Sequence, residues 1–313
     1  LVTMGIWKKV ELIGYDLFRT TLSTINQISF DDNAAMLEAE FHIESNSDYV
    51  GEVMIEHEDS AIREKFEVTL NPGLNILLHK FNVFSPKLWW PKGYGNQDLY
   101  SFQISIKINE CTINLEKQIG IREISINTSK DKLGEKFEIN INGKPFFAKG
   151  ANWIPADSFT TKISKKDYNS ILDNAIYANF NTLRVWGGGI YEPDEFYQLC
   201  DEKGILVWQD FMFACSMYPG DQGFFDSVKK EITYQVKRLK HHPSIALWCG
   251  NNEIGVAWHN WGWKDKLPSS VWEKDYHGLF HKLIPAIINK NDPLRFYWPT
   301  SPGLTTGLPH EGQ

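Results

Sequence analysis

Cysteine is scarce in this chain, and the cysteines that do occur are far apart. The 313 residues include four, at positions 111, 200, 215 and 249, and none forms the CxxC pair of zinc or redox sites. We interpret them as mostly buried thiols and predict no metal site. Long apolar runs are missing as well. No stretch of about 18 apolar residues occurs, so we expect no membrane-spanning helix.

An excess of positive charge is also missing. The chain has 32 Lys and Arg against 39 Asp and Glu, which gives a formal net charge of −7. A protein that binds nucleic acid without reading its sequence needs clustered positive charge to meet the phosphates. We therefore expect no nucleic-acid partner, whereas a small neutral or basic substrate is compatible with this charge.

The first residues, "LVTMGIWKKVEL", lack the charged start, apolar middle and small-residue cleavage site of a signal peptide. They are more typical of the interior of a domain, and we expect "GIWKKVELIGYD" to be the last strand of a β domain. The sequence leaves the compartment open. A soluble protein of a periplasmic, secreted or lysosomal-type compartment is compatible with it.

Aromatic residues, in contrast, are abundant. They make up 14% of the chain and include 12 tryptophans. Many proteins hold sugar rings on tryptophan side chains, although large aromatic residues also fill cores. The composition therefore favours neither use alone.

Residues 25–126 alternate apolar and polar side chains, as in "AAMLEAEFHIES" and "DLYSFQISIKIN". Alternation with period two, interrupted by turn residues and by no convincing helix, indicates antiparallel strands. About a hundred residues of this kind predict an immunoglobulin-like β-sandwich.

From residue 127 to the end, and clearly from about residue 137, short apolar strands alternate with amphipathic helical segments. The predicted strands are 146–153, 182–187, 205–211, 245–253 and 296–301, and Ser164 and Glu192 are predicted helix starts. Such βα units form a (β/α)8 TIM barrel or a doubly wound sheet. No GxGxxG follows the first strand, which disfavours a dinucleotide-binding fold. We predict a barrel. Five strands cannot close one, so we expect the chain to be truncated at both ends.

Polar and aromatic residues follow several of these strands, as in a barrel whose active site lies at the carboxyl ends of its strands. Glu253 comes directly after an apolar strand and could act as a general acid that protonates a leaving oxygen. Alternatively, it could cap the following helix. Asp210 and Asp157 are candidates for a second carboxylate, and Asp210 could equally be a buried, hydrogen-bonded support. The glycine run 187–189 is more typical of a tight turn than of a phosphate cradle, and we interpret His241 and His242 as support residues.

Five segments resemble the β-mannosidases of glycoside hydrolase family 2. They are "LWWPKGYGNQDLY" (88–100), "NWIPADSF" (152–159), "LRVWGGGIYE" (183–192), "WQDFMFAC" (208–215) and "HHPSIALWCGNNE" (241–253). The first is shared broadly across the family. "NWIPADSF", "RVWGGGIYE" and "CGNNE" point to the mannosidase branch.

The resemblance implies three domains: the end of a sugar-binding jelly roll over 1–24, the immunoglobulin-like sandwich over 25–126 and the first part of the catalytic barrel over 127–313. It also implies retention through a covalent glycosyl-enzyme. Glu253 matches the acid/base residue and Asn252 the asparagine that contacts the sugar 2-hydroxyl. Trp186 and Trp261 resemble pocket tryptophans. Trp153 and Asp210, at strand ends, complete the predicted substrate-binding set.

The resemblance places the nucleophile, a second glutamate, after a seventh strand, so we expect the full-length protein to be active and this chain alone to be inactive. The implied activity is a retaining exo-β-mannosidase that removes terminal β-D-mannose from manno-oligosaccharides without a cofactor. Two alternatives stay open: another family 2 exo-glycosidase, such as a glucosaminidase or glucuronidase, and a non-catalytic carbohydrate-binding or scaffold protein. The oligomeric state stays open as well.

Overall fold

The computed structural model describes residues 5–6, 8–31, 33–58 and 62–303. These residues form two compact units that are discontinuous in sequence. Within the described ranges, the first unit comprises residues up to 88, 98–121 and 159–164, and the second comprises 89–97, 122–158 and 165–303. The ends of the chain, residues 1–4 and 304–313, lie outside the described residues, and with them parts of the predicted first and last domains.

The first unit consists of two antiparallel sheets. Its strands are β1 (Phe18–Phe30), β2 (Ala34–Ser45), β3 (Tyr49–His57), β4 (Arg63–Leu70), β5 (Gly73–Phe84), β6 (Tyr100–Ile108) and β7 (Cys111–Ile119). One sheet has the order β1-β2-β5 and the other β4-β3-β6-β7. A single 3-10 turn, Thr160–Lys162, also belongs to this unit.

The alternation of side chains explains how these strands pack. In β2, Leu37, Phe41 and Ile43 are fully buried, and the intervening Glu38 and Glu44 point to the other face. Ile104 and Ile106 of β6 are buried in the same way and join the same apolar cluster. The two sheets therefore enclose one hydrophobic core.

The second unit begins with a small antiparallel sheet, β8 (Ile124–Asn127), β9 (Glu138–Ile141) and β10 (Lys144–Phe146), in the order β10-β9-β8. A parallel sheet follows, with its strands in sequence order: β11 (Gly150–Trp153), β12 (Thr182–Val185), β13 (Leu206–Asp210), β14 (Ile245–Cys249) and β15 (Tyr297–Trp298). Each of the five predicted strands contains one of these. The predicted first strand also contains the end of β10.

Helices connect the parallel strands. They are α1 (Lys165–Tyr177), α2 (Asp194–Lys203), α3 (Gln222–Leu239), α4 (Ile254–Asn260) and α5 (Ile284–Asn291). Two π-helical segments, Val271–Tyr276 and Gly278–Leu283, precede α5. Throughout the described ranges, every helix is too short or too polar to span a bilayer.

The structure differs from the expectations at three places. The helix predicted to start at Glu192 begins at Asp194, with Pro193 at its N-cap. The sequence predicted no bounds for the short helix α4 and indicated only that a helix follows Glu253; the structure places it at Ile254–Asn260. The predicted boundaries at residues 24/25 and 126/127 fall inside β1 and β8, respectively.

The parallel sheet is built from strands that are buried on both faces. All five residues of β14, "IALWC", are at most 2% exposed. A strand covered on both faces is a continuous apolar run, because neither set of alternating side chains meets water. Since the strands are parallel, the residues after β12, β13 and β14 meet at one edge of the sheet.

Candidate active site

An arginine on β12 connects the ends of three neighbouring strands. The Arg184 guanidinium donates to both carboxylate oxygens of Asp210, at 2.7 and 3.2 Å, and the 2.7 Å contact is an ion pair. The same Nη2 atom donates to Asn252 Oδ1 at 2.9 Å. Arg184 therefore joins the end of β13 to the residues that follow β14.

Asp210 is fully buried and accepts two further hydrogen bonds, from the Trp208 indole N–H at 2.9 Å and from the Gly187 backbone N–H at 3.0 Å. Burial raises the pKa of this carboxyl, and the Arg184 charge and the donated hydrogen bonds oppose that rise. Each of the two oxygens accepts from Arg184 and from one other donor. This arrangement supports the interpretation of Asp210 as a buried, hydrogen-bonded support.

Asn252 is held in one orientation. Its Oδ1 atom must face Arg184, because a guanidinium has donors and no acceptor. The Nδ2 atom then donates to Glu253 Oε2 at 3.2 Å. Asn252 is 5% exposed, and its two partners, Arg184 and Glu253, are half-buried, so both contacts are partly shielded from water.

Glu253 has a left-handed backbone, with φ 62° and ψ 6°, and it occupies the N-cap position of α4. Its side chain makes no capping hydrogen bond. Instead, Asn251 Oδ1 accepts from the Ile254 backbone N–H at 3.1 Å. Capping of α4 therefore does not account for the Glu253 carboxylate, which is half-buried beside Asn252.

Trp186 follows β12 and is half-buried. A Cβ atom at Gly188 would lie 2.0 Å from the Trp186 ring, and one at Gly187 would lie 2.7 Å from the Phe211 carbonyl oxygen. The backbone contact requires glycine at position 187, whereas at position 188 a Cβ atom would displace the Trp186 ring. The glycine run is therefore a tight turn against which the Trp186 ring packs.

Comparison with known proteins shows relatives over nearly the whole chain. The family model "Glycosyl hydrolases family 2" matches residues 22–122. The Rattus norvegicus β-mannosidase is 39% identical over 96% of this chain and 35% of its own length. The crystal structure of the β-D-mannosidase from Dictyoglomus thermophilum superposes with a TM-score of 0.86 at 40% identity, over 93% of this chain and 36% of that one. This chain is a homologue of the family 2 β-mannosidases.

The chain spans about a third of the length of the curated relatives that it matches. The Aspergillus fumigatus β-mannosidase B is 37% identical, and the chain covers 38% of its length. The Amycolatopsis orientalis exo-chitosanase matches with a TM-score of 0.71 at 16% identity, over 91% of this chain and 32% of its own. That likeness concerns the fold alone, a β-rich multidomain fold of the family 2 type.

In this chain, Trp153 lies in the core, whereas the sequence predicted that it binds substrate. The side chain is 7% exposed, its indole N–H donates to Glu192 Oε1 at 2.9 Å, and its ring lies 4.7 Å from that of Phe196. Tyr168 donates to the second Glu192 oxygen at 2.6 Å. Trp153 therefore packs in the core, and Glu192 is its buried partner rather than a helix start.

Trp261 ends α4 and is 51% exposed. It lies eight positions after Glu253, which corresponds to about 12 Å along a helix. Among the described residues, the Trp261 ring pairs with one other ring, that of Trp263, in an edge-to-face arrangement with 6.4 Å between the ring centroids. Asp157 is half-buried in the segment after β11. The structure thus brings together Asp210, Asn252 and Glu253, with Trp186 on the turn that donates to Asp210, and places Trp261 at the far end of α4.

For two residues of this site, Arg184 and Asn251, the sequence did not predict the role that the structure shows. Arg184 interrupts an otherwise apolar strand, "TLRVW", and a charge in such a strand signals a buried partner. Asn251 is fully buried, and the adjacent asparagines of "GNNE" gave no indication of their different contacts.

His242 is buried and its Nδ1 lies 2.5 Å from Asp201 Oδ2, in line with the predicted support. The described part of the chain groups no three His, Cys, Asp or Glu side chains where they could hold a metal ion.

Proposed function

We propose that the protein containing this chain is a retaining exo-β-mannosidase, which hydrolyses terminal non-reducing β-D-mannose residues from β-mannosides. The observation that carries the proposal is the Asn252–Glu253 pair, held at the edge of the parallel sheet by Arg184 and Asp210. The names of the relatives support the same activity and substrate class.

The domain assignment belongs to this proposal. We infer an immunoglobulin-like sandwich over 25–126, because two antiparallel sheets enclose one core there. We assign residues 127–313 to the first part of a (β/α)8 barrel, because parallel strands in sequence order alternate with helices. We predict the end of a jelly-roll domain over residues 1–24, although Phe18 to Thr24 are already part of β1 in the first unit.

In the proposed mechanism, Glu253 is the acid/base. As the glycosidic bond breaks, its carboxylic acid gives a proton to the leaving oxygen, and a nucleophilic carboxylate bonds to the sugar carbon. In the second step a water molecule displaces that carboxylate from the same carbon. Glu253 takes the proton that this water loses and is restored as the acid. The nucleophile would be the glutamate after the seventh strand that the family resemblance implies.

Asn252 would hold the sugar beside the bond that breaks. Its Nδ2 atom carries two hydrogens, and the bond to Glu253 uses one of them. The other can donate to the sugar 2-hydroxyl. We assign Trp186 to the wall of the sugar-binding pocket, and Trp261 to a part of that wall farther from Glu253. Asp210 would support Arg184 and Asn252. Trp153 would serve in packing.

The charge of Arg184 bears on the glucuronidase alternative. A glucuronide carries a carboxylate that needs a cation, and Arg184 is the cation beside the strand-end tryptophan. Its guanidinium is already paired with Asp210 and bonded to Asn252. Because the Arg184 charge is already neutralised by Asp210, the site favours a neutral sugar such as mannose.

The test is hydrolysis of p-nitrophenyl β-mannoside by the whole protein and by its Glu253→Ala variant. The leaving group needs little acid assistance, so the loss, about 10²–10⁴-fold, falls on the step in which Glu253 activates water. Azide needs no base and should restore turnover with β-mannosyl azide as the product. The matched control is Glu202→Ala, an exposed glutamate on α2, which should retain full activity. Unimpaired hydrolysis by Glu253→Ala would refute the assignment.

A further inference from the structure

Glu253 adopts a backbone conformation that a glutamate rarely takes. Its φ of 62° is left-handed, and the other non-glycine residues with positive φ are three asparagines, Ser85 and Cys215 among the described residues. A side chain with a Cβ atom clashes with the backbone in this region, so neighbouring contacts must hold it there. The conformation occurs at the residue that would carry the acid/base.

Asn251 makes the contacts that hold this turn, through three hydrogen bonds of its side chain. The Oδ1 atom accepts from the Ile254 N–H at 3.1 Å and from the Thr300 hydroxyl at 2.8 Å. The Nδ2 atom donates to the Pro299 carbonyl at 2.9 Å. Asn251 is 0% exposed and Thr300 6%, so these hydrogen bonds form away from water, where they fix geometry most strongly.

The backbone connects the same two segments. The Ser301 N–H donates to the Asn251 carbonyl, and the Glu253 N–H donates to the Ser301 carbonyl, both at 2.9 Å. The turn from Asn251 to Ile254 is thus attached to the residues after β15 at Asn251 and at Glu253 itself. Because the Asn251 side chain caps α4, the Glu253 carboxylate is not needed as a helix cap.

We propose that Asn251, together with Thr300, is a positioning residue that holds Glu253 in its left-handed conformation and so aims the carboxylate at the leaving oxygen. This inference rests on the proposed function. Asn251 touches neither substrate nor the reacting atoms and acts through Glu253.

The test compares two substrates of the whole protein. β-1,4-Mannobiose has a poor leaving group and needs a well-placed acid, whereas 2,4-dinitrophenyl β-mannoside needs almost none. In Thr300→Val and Asn251→Ala, kcat/KM for mannobiose should fall about tenfold and about a hundredfold, and kcat/KM for the dinitrophenyl substrate should fall less than about threefold. The ratio of the two values does not depend on the fraction of folded protein, so a merely structural defect leaves it unchanged.

Two variants serve as controls. Thr300→Ser keeps the hydroxyl and should restore the ratio. Asn291→Ala removes an asparagine whose Nδ2 donates to the Ile287 carbonyl at the end of α5, and it should leave the ratio as it is. An unchanged ratio in both Thr300→Val and Asn251→Ala would overturn the positioning role alone. If the unsubstituted protein hydrolysed neither substrate, the proposed function would be wrong and this inference would fall with it.

Discussion

At the scale of single residues, the site depends on charges that neutralise each other inside the protein. The Arg184 side chain is 18% exposed and that of Asp210 is fully buried. Burying such a pair brings little net stability, because both charges lose water. Removing one partner is a different matter, since it leaves the other charge buried and unpaired at a cost of about 3–5 kcal/mol.

Asp210→Asn should therefore lower the free energy of unfolding by about 3–5 kcal/mol. It should also lower kcat/KM for β-mannosides, because Arg184 would no longer hold Asn252. The control is Asp173→Asn. Asp173 pairs with Lys203 at 2.5 Å but is 55% exposed, so its loss should cost about 0–1 kcal/mol. Denaturant titration of both variants checks this, and equal small changes would show that Asp210 is not a required counter-ion.

The sequence could identify some of these residues but not their contacts. Glu253 and Asn252 stand out because they belong to a run of three polar residues, Asn251 to Glu253, that comes soon after a fully apolar strand. The bonds of Arg184 to Asp210 and Asn252 cross 26 and 68 residues, and only the order of the parallel strands brings them together. The burial of Trp153 could not be predicted, because a strand-end position does not tell which way the side chain points.

At the scale of elements, long periodic segments were predicted well. The helices α1, α2 and α3 have 10 to 18 residues and clear apolar faces. The seven-residue α4 is too short to show a period. The segment 271–289 has the apolar pattern of one continuous helix, whereas its first part is π-helical. A shift from i+4 to i+5 hydrogen bonds leaves no mark in the apolar pattern.

The turn after β12 gives a prediction at this scale. In Gly188→Ala, the new methyl group would meet the outer atoms of the Trp186 ring, so the indole should swing aside while the fold is kept. If Trp186 lines the sugar pocket, kcat/KM for β-mannosides should fall about tenfold to a hundredfold with little change in unfolding free energy.

Gly14→Ala is the matched control for that experiment. A Cβ atom at Gly14 would have no neighbour within 4 Å, and its φ lies outside the left-handed region. It should leave both activity and stability unchanged. Full activity of Gly188→Ala would place Trp186 outside the pocket.

At the scale of the whole molecule, the groups whose pKa is shifted by burial are concentrated in the second unit. Among the described residues they include three buried tyrosines, Tyr168, Tyr191 and Tyr197. Burial raises the pKa of each well above its usual value of 10.0, and the Glu192 carboxylate beside Tyr168 adds to the rise there. In the unfolded chain these phenols titrate at their ordinary pKa.

This difference sets the alkaline limit of stability. A raised folded-state pKa means that the contribution of each tyrosine is complete below the unfolded pKa and is lost as pH rises above it. Between the two pKa values the unfolded chain has released a proton that the folded chain retains. Each tyrosine should then lower the free energy of unfolding by about 1.4 kcal/mol per pH unit above pH 10.

Denaturant titrations of the whole protein between pH 8 and about 11.5 should therefore show a steep loss of stability above pH 10. The part of the tyrosinate absorbance that is missing in Tyr168→Phe should rise only as the protein unfolds. Tyr168→Phe should reduce the slope by about one proton, although it also loses the bond to Glu192 and is less stable at every pH. Tyr177→Phe, at a tyrosine that is 90% exposed on α1, should leave the slope unchanged. If the part of the tyrosinate absorbance that Tyr168→Phe lacks appeared at pH 10 in the folded protein, with no loss of stability, the Tyr168 phenol would have to be reachable by water.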